Sequence, residues 1–447
     1  KSLRLERRMI TTDWNGGAQV DECLAADIKS IAAIKALKDH PNLLVFPHSF
    51  TEYDEGFGEK CICTFDEEEG KIHTNNIVGF IGKNKTQLTI RSRFTRNLDE
   101  KNDEDYFLHY MLQKVFGVHI FDLKHTTSKE KVFDFSLYLF PHFLKKALRQ
   151  GVYREYQTRH YNDANVRGTI DVSRHLRTNL PFAGNIAYRT REYLYDNDTT
   201  QLIRHTIEHI RCHKWGANIL SCDTETKDFV SQITQVTESY QKNQRQSVIN
   251  RNLKPVRHSL YTEYEPLRKL CLQILRHEHL KYGQKKDEIY GVLFDGTWLW
   301  EEYLGIVLKE SFNHYHRSDT NKWYLFKGQQ IVPDYISKDF SIVADAKYIP
   351  LEKQKGYKNE EKATAIYYKT ITYMYRWNAK IGLLLHPVSD SDSVKISKHH
   401  IVDTEGCIIK MGFPIPMSAE TFMEFANSMK KNEAWYLQNI NKYSFHQ

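Results

Sequence analysis

The 447-residue chain has no apolar run approaching the ~20 residues that a membrane-spanning helix requires, so a membrane-embedded protein is excluded as a reading. Its first residues carry Lys1, Arg4, Arg7 and Arg8 without a following apolar stretch, which predicts a protein that stays in the cytoplasm. Seven cysteines at 23, 61, 63, 212, 222, 271 and 407 lack the spacing of a disulfide framework, and Cys61 with Cys63 has no second pair nearby to complete a zinc site. No Gly-x-x-x-x-Gly-Lys-Ser/Thr string occurs, so nothing here cradles nucleotide phosphates in the P-loop manner. Internal repeats and low-complexity segments are also missing, which leaves a globular chain long enough for two or three domains.

With 40% hydrophobic and 13% aromatic residues, extended disorder is not expected. The net charge of +7 is modest, but its distribution is uneven. Residues 52–69 are acidic, whereas 141–215 hold 13 Lys/Arg against 7 Asp/Glu. That basic stretch is a candidate phosphate-facing surface, with Arg154, Arg159, Arg174 and Arg177 as candidate DNA contacts; a solvated mixed-charge face is the bland alternative.

The pattern changes along the chain define the expected organisation. Residues 1–40 read as helical, most clearly from Asp21 to Leu37, and 43–94 as strands in LLVF, KCICTF, NIVGFIG and QLTIRSRF. Helical periodicity returns from Tyr106 to Leu148, a short strand is expected around Gly168, and helices again from Thr199 to about Tyr282. Within that last region the polar run 239–252 reads as a loop. The expected fold class is mixed α/β and multidomain, with a β-rich N-terminal module (1–130), a basic, mainly helical middle region (131–288) and an α/β C-terminal domain (289–447).

The chemistry concentrates in that C-terminal domain. FDGTWLWEEYLGIVLKESF (294–312) has helical apolar spacing, with Asp295 or Thr297 placed to cap it. QQIVPDYISKDFSIVADAKYI (329–349) reads as a β-hairpin; a turn centred near Lys338 and Asp339 sets Asp334 opposite Val343. Strand alternation puts Asp345 and Lys347 on one face, so two carboxylates and an ammonium converge. This set suits metal-assisted phosphodiester hydrolysis, in which hard oxygen ligands hold Mg²⁺ (or Mn²⁺ in its place) and a lysine orients water or offsets charge. Asp-x-Lys also occurs at Asp27-Ile28-Lys29 and Asp122-Leu123-Lys124, so the triplet matters only with its Pro333-Asp334, hairpin and upstream acidic helix. His205, His209 and His213, spaced at i, i+4 and i+8, are expected on the wet side of a helix whose buried stripe is Ile203, Ile207 and Ile210; a metal role lacks a completing ligand.

The succession WLWEEYL, VPDYI, IVADAKYIP, TYMYRW and IGLLLHP resembles the PD-(D/E)XK nuclease domain of the McrC family, which includes LlaJI-type restriction subunits. IVGFIGKNKTQLTIRSRF, NVRGTID and TREYLYDNDTTQLIRHTI resemble upstream parts of it. The resemblance implies a restriction-endonuclease-like C-terminal domain with Asp334, Asp345 and Lys347 as the catalytic set, Glu301 as the helix acid completing the metal site, and double-stranded DNA as substrate. It further implies an McrB-type AAA+ GTPase partner on which the N-terminal module docks, with Arg91, Arg93 and Arg96 as conceivable contributors to GTP hydrolysis. Dimerisation through the nuclease domain is a further possibility. Where the family tends to carry Gln, this chain has Lys369, four residues before Tyr373; a lysine there could contact a phosphate. The rival readings are a non-catalytic activator of the GTPase and a stand-alone repair nuclease.

Overall fold

A computed structural model describes residues 7–34, 37, 40, 43–47, 62–83, 86–98, 105–117, 128–213, 216–255, 258–280, 289–315, 323–349, 357–391 and 396–444. The fold is mixed α/β and divides into two compact units, residues 1–125 with 285–447, and residues 126–284.

The first unit begins with β1 (Arg7–Thr12), β2 (Ala18–Gln19), α1 (Glu22–Ala32), β3 (Leu43–Phe46), β4 (Cys63–Asp66), β5 (Lys71–Thr74), β6 (Ile77–Lys83), β7 (Thr86–Arg91) and α2 (Tyr106–Phe116). The helix expected after Asp21 is present, but residues 7–21 are not helical. β1 instead runs parallel to β7, and its Met9 joins a core of Ile28, Ile31, Ile72, Ile81 and Leu88. A six-residue strand stabilised by a partner about 80 residues away leaves no local helical or turn signal to read. Asp105 caps α2 by accepting from Leu108 N, and Gly117 ends it in the left-handed conformation at φ 70°.

The second unit contains α3 (Ser128–Arg149), β8 (Glu155–Asp163), β9 (Thr169–Ile170), α4 (Val172–Thr178), β10 (Ile186–Leu194), α5 (Asp198–Arg211), α6 (Gly216–Leu220), α7 (Thr224–Val236), α8 (Arg245–Arg251) and α9 (Tyr264–Leu280). Its helices bury Leu137, Phe140, Leu144, Leu202, Ile207, Ile233, Leu267 and Ile274. Two corrections arise here. Besides the strand expected near Gly168, found as β9, the mainly helical region holds two longer strands that the sequence reading did not include: β8 and β10 form a nine-residue antiparallel pair, which β9 extends. The polar run 239–252 also includes a helix, α8, because Val248 and Ile249 are buried in the unit and compensate for a sequence with no apolar stripe.

The chain then returns to the first unit with β11 (Ile289–Asp295), α10 (Gly296–Leu308), β12 (Phe312–His314), β13 (Tyr324–Phe326), β14 (Gln329–Gln330), β15 (Tyr335–Ser337), β16 (Ile342–Ala346), α11 (Tyr357–Trp377), β17 (Ile381–Ser389), β18 (Ile396–His400), β19 (Cys407–Ile415) and α12 (Phe422–Ser444). β11 completes the five-stranded sheet β1-β7-β6-β11-β3, antiparallel to β6 and parallel to β3. The remaining long sheet has the order β12-β15-β16-β17-β19-β18, with β16, β17 and β19 parallel. Parallel neighbours need a crossover, which α11 supplies between β16 and β17. Trp300 of α10 anchors that helix by donating from Nε1 to Leu385 O at 3.2 Å.

Candidate active site

β16 reads Ile-Val-Ala-Asp-Ala and is buried throughout. A strand covered on both faces is ordinarily all apolar, so Asp345, with its side chain 2% exposed, is the exception that the sheet must accommodate. The hairpin with β15 forms as the sequence predicts, but its register differs. Tyr335 pairs with Ala344 and Ile336 with Val343, and continuing that register places Asp334 across from Asp345 rather than Val343. The turn is centred further on than Lys338 and Asp339: Phe340 lies at φ 63°, and the Asp339 carboxylate accepts from Ser341 N at 3.1 Å and Ser341 Oγ at 2.8 Å. Those side-chain contacts stabilise a longer turn than strand alternation alone suggests.

Asp334 Oδ2 accepts from Ala346 N at 2.6 Å, which holds its carboxylate over the end of β16. Lys347 continues from that strand, its backbone N donating to Leu385 O at 2.8 Å, and its ammonium touches Asp345 Oδ2. Lys369, from α11, brings Nζ within 3.8 Å of Asp345 Oδ1. Glu301, buried on α10, faces His314 Nε2 at 3.1 Å, and Tyr335 donates its hydroxyl to the Glu301 backbone carbonyl. Four segments distant in sequence thus bring Glu301, Asp334, Asp345, Lys347 and Lys369 to one place.

The electrostatics separate the two aspartates. Burial pushes Asp334 well above the usual carboxylate range, reinforced by the charges of Asp345 and Glu301 and opposed by the two lysines. For Asp345 burial acts in the same direction, yet Lys347 and Lys369 outweigh it and hold the carboxyl below its ordinary value. Without another cation, one carboxyl of the pair keeps a proton and the other is ionised.

The donor chemistry fits a hard divalent cation: three carboxylates are clustered, and the buried Asp345 carboxylate is balanced by ammonium groups whose place a cation can take. Among the described residues no three His, Cys, Asp or Glu side chains are already drawn to ligand distance. The ammonium of Lys347 occupies the contact with Asp345, so a cation binding there must compete with it.

The other expected contacts lie elsewhere. Arg159 on β8 and Arg177 on α4 are exposed in the second unit. Arg154 stacks its guanidinium 3.9 Å from the Tyr195 ring, and Arg174 donates to Tyr161 O at 3.3 Å, so both are partly engaged within that unit. His205 corrects the expected wet face: it is buried against Tyr240, and its pKa is lowered to about 4 by burial and by Arg245, Arg204 and Arg251. Helical spacing could not show that a tyrosine 35 residues away covers it. Cys61 lies outside the described residues, and Cys63 is buried.

The N-terminal arginines are engaged within the first unit. Arg91 donates to Asn97 O at 2.9 Å and Arg96 to Ala419 O at 2.9 Å. Arg93 pairs with buried Asp13 at 2.9 Å and covers the ring of Tyr348 at 4.2 Å, directly after Lys347. Sequence reading missed this brace and the His314 contact to Glu301, since neither has a local pattern.

Residues 72–387, more than two thirds of the chain, match the family model described as McrBC 5-methylcytosine restriction system component. No curated protein matches. Among solved structures, the chain is similar to one in the refined half-complex from a tetradecameric assembly of Thermococcus gammatolerans McrB AAA+ hexamers with bound McrC. The identity is 16% and the TM-score 0.47, over 97% of this chain and 100% of the other. It is also similar to a chain of the Thermococcus gammatolerans McrBC complex seen by cryo-EM, at 15% identity and TM-score 0.31, over 82% and 99%. On the extent of the family match, the chain belongs to the McrBC 5-methylcytosine restriction system component family.

Proposed function

We propose that this chain is the DNA-cleaving, McrC-type subunit of its restriction system, hydrolysing phosphodiester bonds at the Glu301, Asp334, Asp345, Lys347 site. The observation that carries the reading is the convergence of three carboxylates and two ammonium groups around a strand that is otherwise apolar. Buried acids at such density are costly unless a cation or a charged substrate compensates them.

Asp334, Asp345 and Glu301 would hold Mg²⁺ or Mn²⁺, whose chemistry when bound is to polarise a phosphate oxygen and acidify water. Lys347 orients the attacking water and offsets charge developing on phosphorus-bound oxygen, as an ammonium cannot ligate a metal. Asp334, held by Ala346 N, keeps its place against the strand as the protonated member of the pair, with Asp345 ionised. Tyr348, clamped under Arg93, restrains the backbone from which Lys347 projects.

The family match and the missing P-loop support a division of labour with an McrB-type AAA+ GTPase, and the family's description suggests DNA containing 5-methylcytosine as substrate. Of the four arginines read from the sequence, exposed Arg159 and Arg177 are the better placed to meet phosphates. Cleavage should be measured on methylated and unmethylated plasmid, with and without the cognate GTPase and GTP, in Mg²⁺ and in EDTA. Mg²⁺-dependent cutting with the partner is expected. Stimulated GTP hydrolysis without cutting would favour a non-catalytic activator, and partner-independent cutting a stand-alone nuclease.

A further inference from the structure

Asp345 faces two ammonium groups where one would neutralise it. Lys347 is in contact with Oδ2, and Lys369 stands 3.8 Å from Oδ1. The two lysines arrive by different routes, one from the strand bearing Asp345 and the other from the crossover helix α11. A lysine serving as a general DNA anchor would extend away from the protein; the head of Lys369 is instead turned toward the buried carboxylate. Its side chain is 31% exposed, against 17% for Lys347 and 2% for Asp345, so Lys369 stands at the mouth of the site and Lys347 deeper.

The position of α11 is closely constrained. At Gly382 on β17, a Cβ would come within 2.4 Å of Thr370 Cγ2 and 3.0 Å of Met374 Sδ, so only glycine lets the helix approach this near. Tyr373, one turn beyond Lys369, donates its hydroxyl to Val332 O at 2.9 Å, two residues before Asp334. The lysine Nζ lies 5.6 Å from the same ring. Packing, a hydrogen bond and a ring therefore aim this ammonium at the reaction centre from the solvent side.

Building on the nuclease reading, we propose that Lys369 is a second catalytic ammonium, which takes a non-bridging oxygen of the scissile phosphate while Lys347 serves the attacking water. Lys369 exchanges no atom with substrate. Water oxygen forms the new bond to phosphorus and releases its proton to solvent, one phosphorus–oxygen ester bond breaks, the leaving oxygen takes a proton from solvent, and Lys369 offsets charge on the phosphoryl oxygens as it builds.

The test uses the full chain with its GTPase partner and the variants Lys369→Ala, Lys369→Gln and Lys369→Arg. Single-turnover cleavage is followed at saturating DNA, DNA affinity is measured separately in EDTA, and thermal melting is recorded. Lys369→Ala and Lys369→Gln are expected to slow cleavage by about 10² to 10³-fold. Affinity in EDTA should fall by less than about tenfold, since one phosphate contact among several is lost. Lys369→Arg should recover at least a tenth of the wild-type rate. Wild-type cleavage by saturated Lys369→Ala, with weakened binding alone, would overturn the proposal in favour of a peripheral anchor and leave the nuclease reading standing. Equal loss in all three variants together with a lowered melting temperature would overturn it in favour of a structural role. A wild-type complex that does not cut DNA at all would overturn the nuclease reading and this proposal with it.

Discussion

Asp345→Asn removes one charge from the centre of the site and keeps the volume. Removing one partner of a buried ion pair commonly costs ~3 to 5 kcal/mol, because the other charge is left without compensation. Here two features reduce that cost. Lys347 is 17% exposed and retains some hydration, and Asp334 stands across the hairpin with its proton held on by burial and by the charge of Asp345 itself. When that charge is deleted, Asp334 ionises more readily and supplies the lysines with a replacement anion. The net loss should therefore be about 1 to 2 kcal/mol, a few degrees in melting temperature for a unit of this size. Catalysis has no such substitute, since the deeper carboxylate position is gone. A loss of at least about 10³-fold in single-turnover cleavage is expected, corresponding to roughly 4 kcal/mol in the barrier. Cleavage, melting and stimulation of GTP hydrolysis should be measured on the same preparation. A variant cutting at more than a tenth of the wild-type rate would refute the assignment of Asp345, and one that failed to fold would refute the compensation by Asp334.

Lys347→Ala should slow the chemical step by about two to four orders of magnitude while DNA affinity in Ca²⁺ changes little; slow cutting relieved by saturating DNA would make it a phosphate anchor instead. Neutralising Arg159 and Arg177 together should flatten the salt dependence of DNA binding by up to about 1.8 log units per log unit, whereas Arg154 and Arg174, engaged with Tyr195 and Tyr161, should contribute less. Buried Asp13 has its pKa raised to about 6, by burial first, with Arg93 opposing. Its folded state thus binds a proton that the unfolded chain releases near 3.8, so this contribution to stability is present below that pH and is lost as pH rises through about 6. The loss is on the order of 3 kcal/mol at about 1.36 kcal/mol per pH unit. Melting curves from pH 4 to 8 should show that decline, and Asp13→Asn should flatten it; an unchanged slope in the variant would place the titration elsewhere.

The sequence by itself determined those features that rest on neighbours along the chain. Strand alternation puts Asp345 and Lys347 on one side, and a capped apolar helix precedes the hairpin. Glu301 entered through family resemblance, because an acid on a mostly apolar helix has no pattern that names its purpose. Tertiary structure alone decided the register that sets Asp334 against Asp345, since side-chain contacts within the Ser337–Ser341 turn outweighed the simplest two-residue geometry. It decided that Arg93 is held by Asp13 and Tyr348, that Arg7–Thr12 is a strand, and that His205 is buried, each through a partner at least 35 residues distant. It also turned Lys369, which the family resemblance had suggested as a phosphate contact, toward Asp345. Periodicity reports which residues share a face, whereas the charge that a face meets depends on packing between segments, and packing is not encoded in any local window.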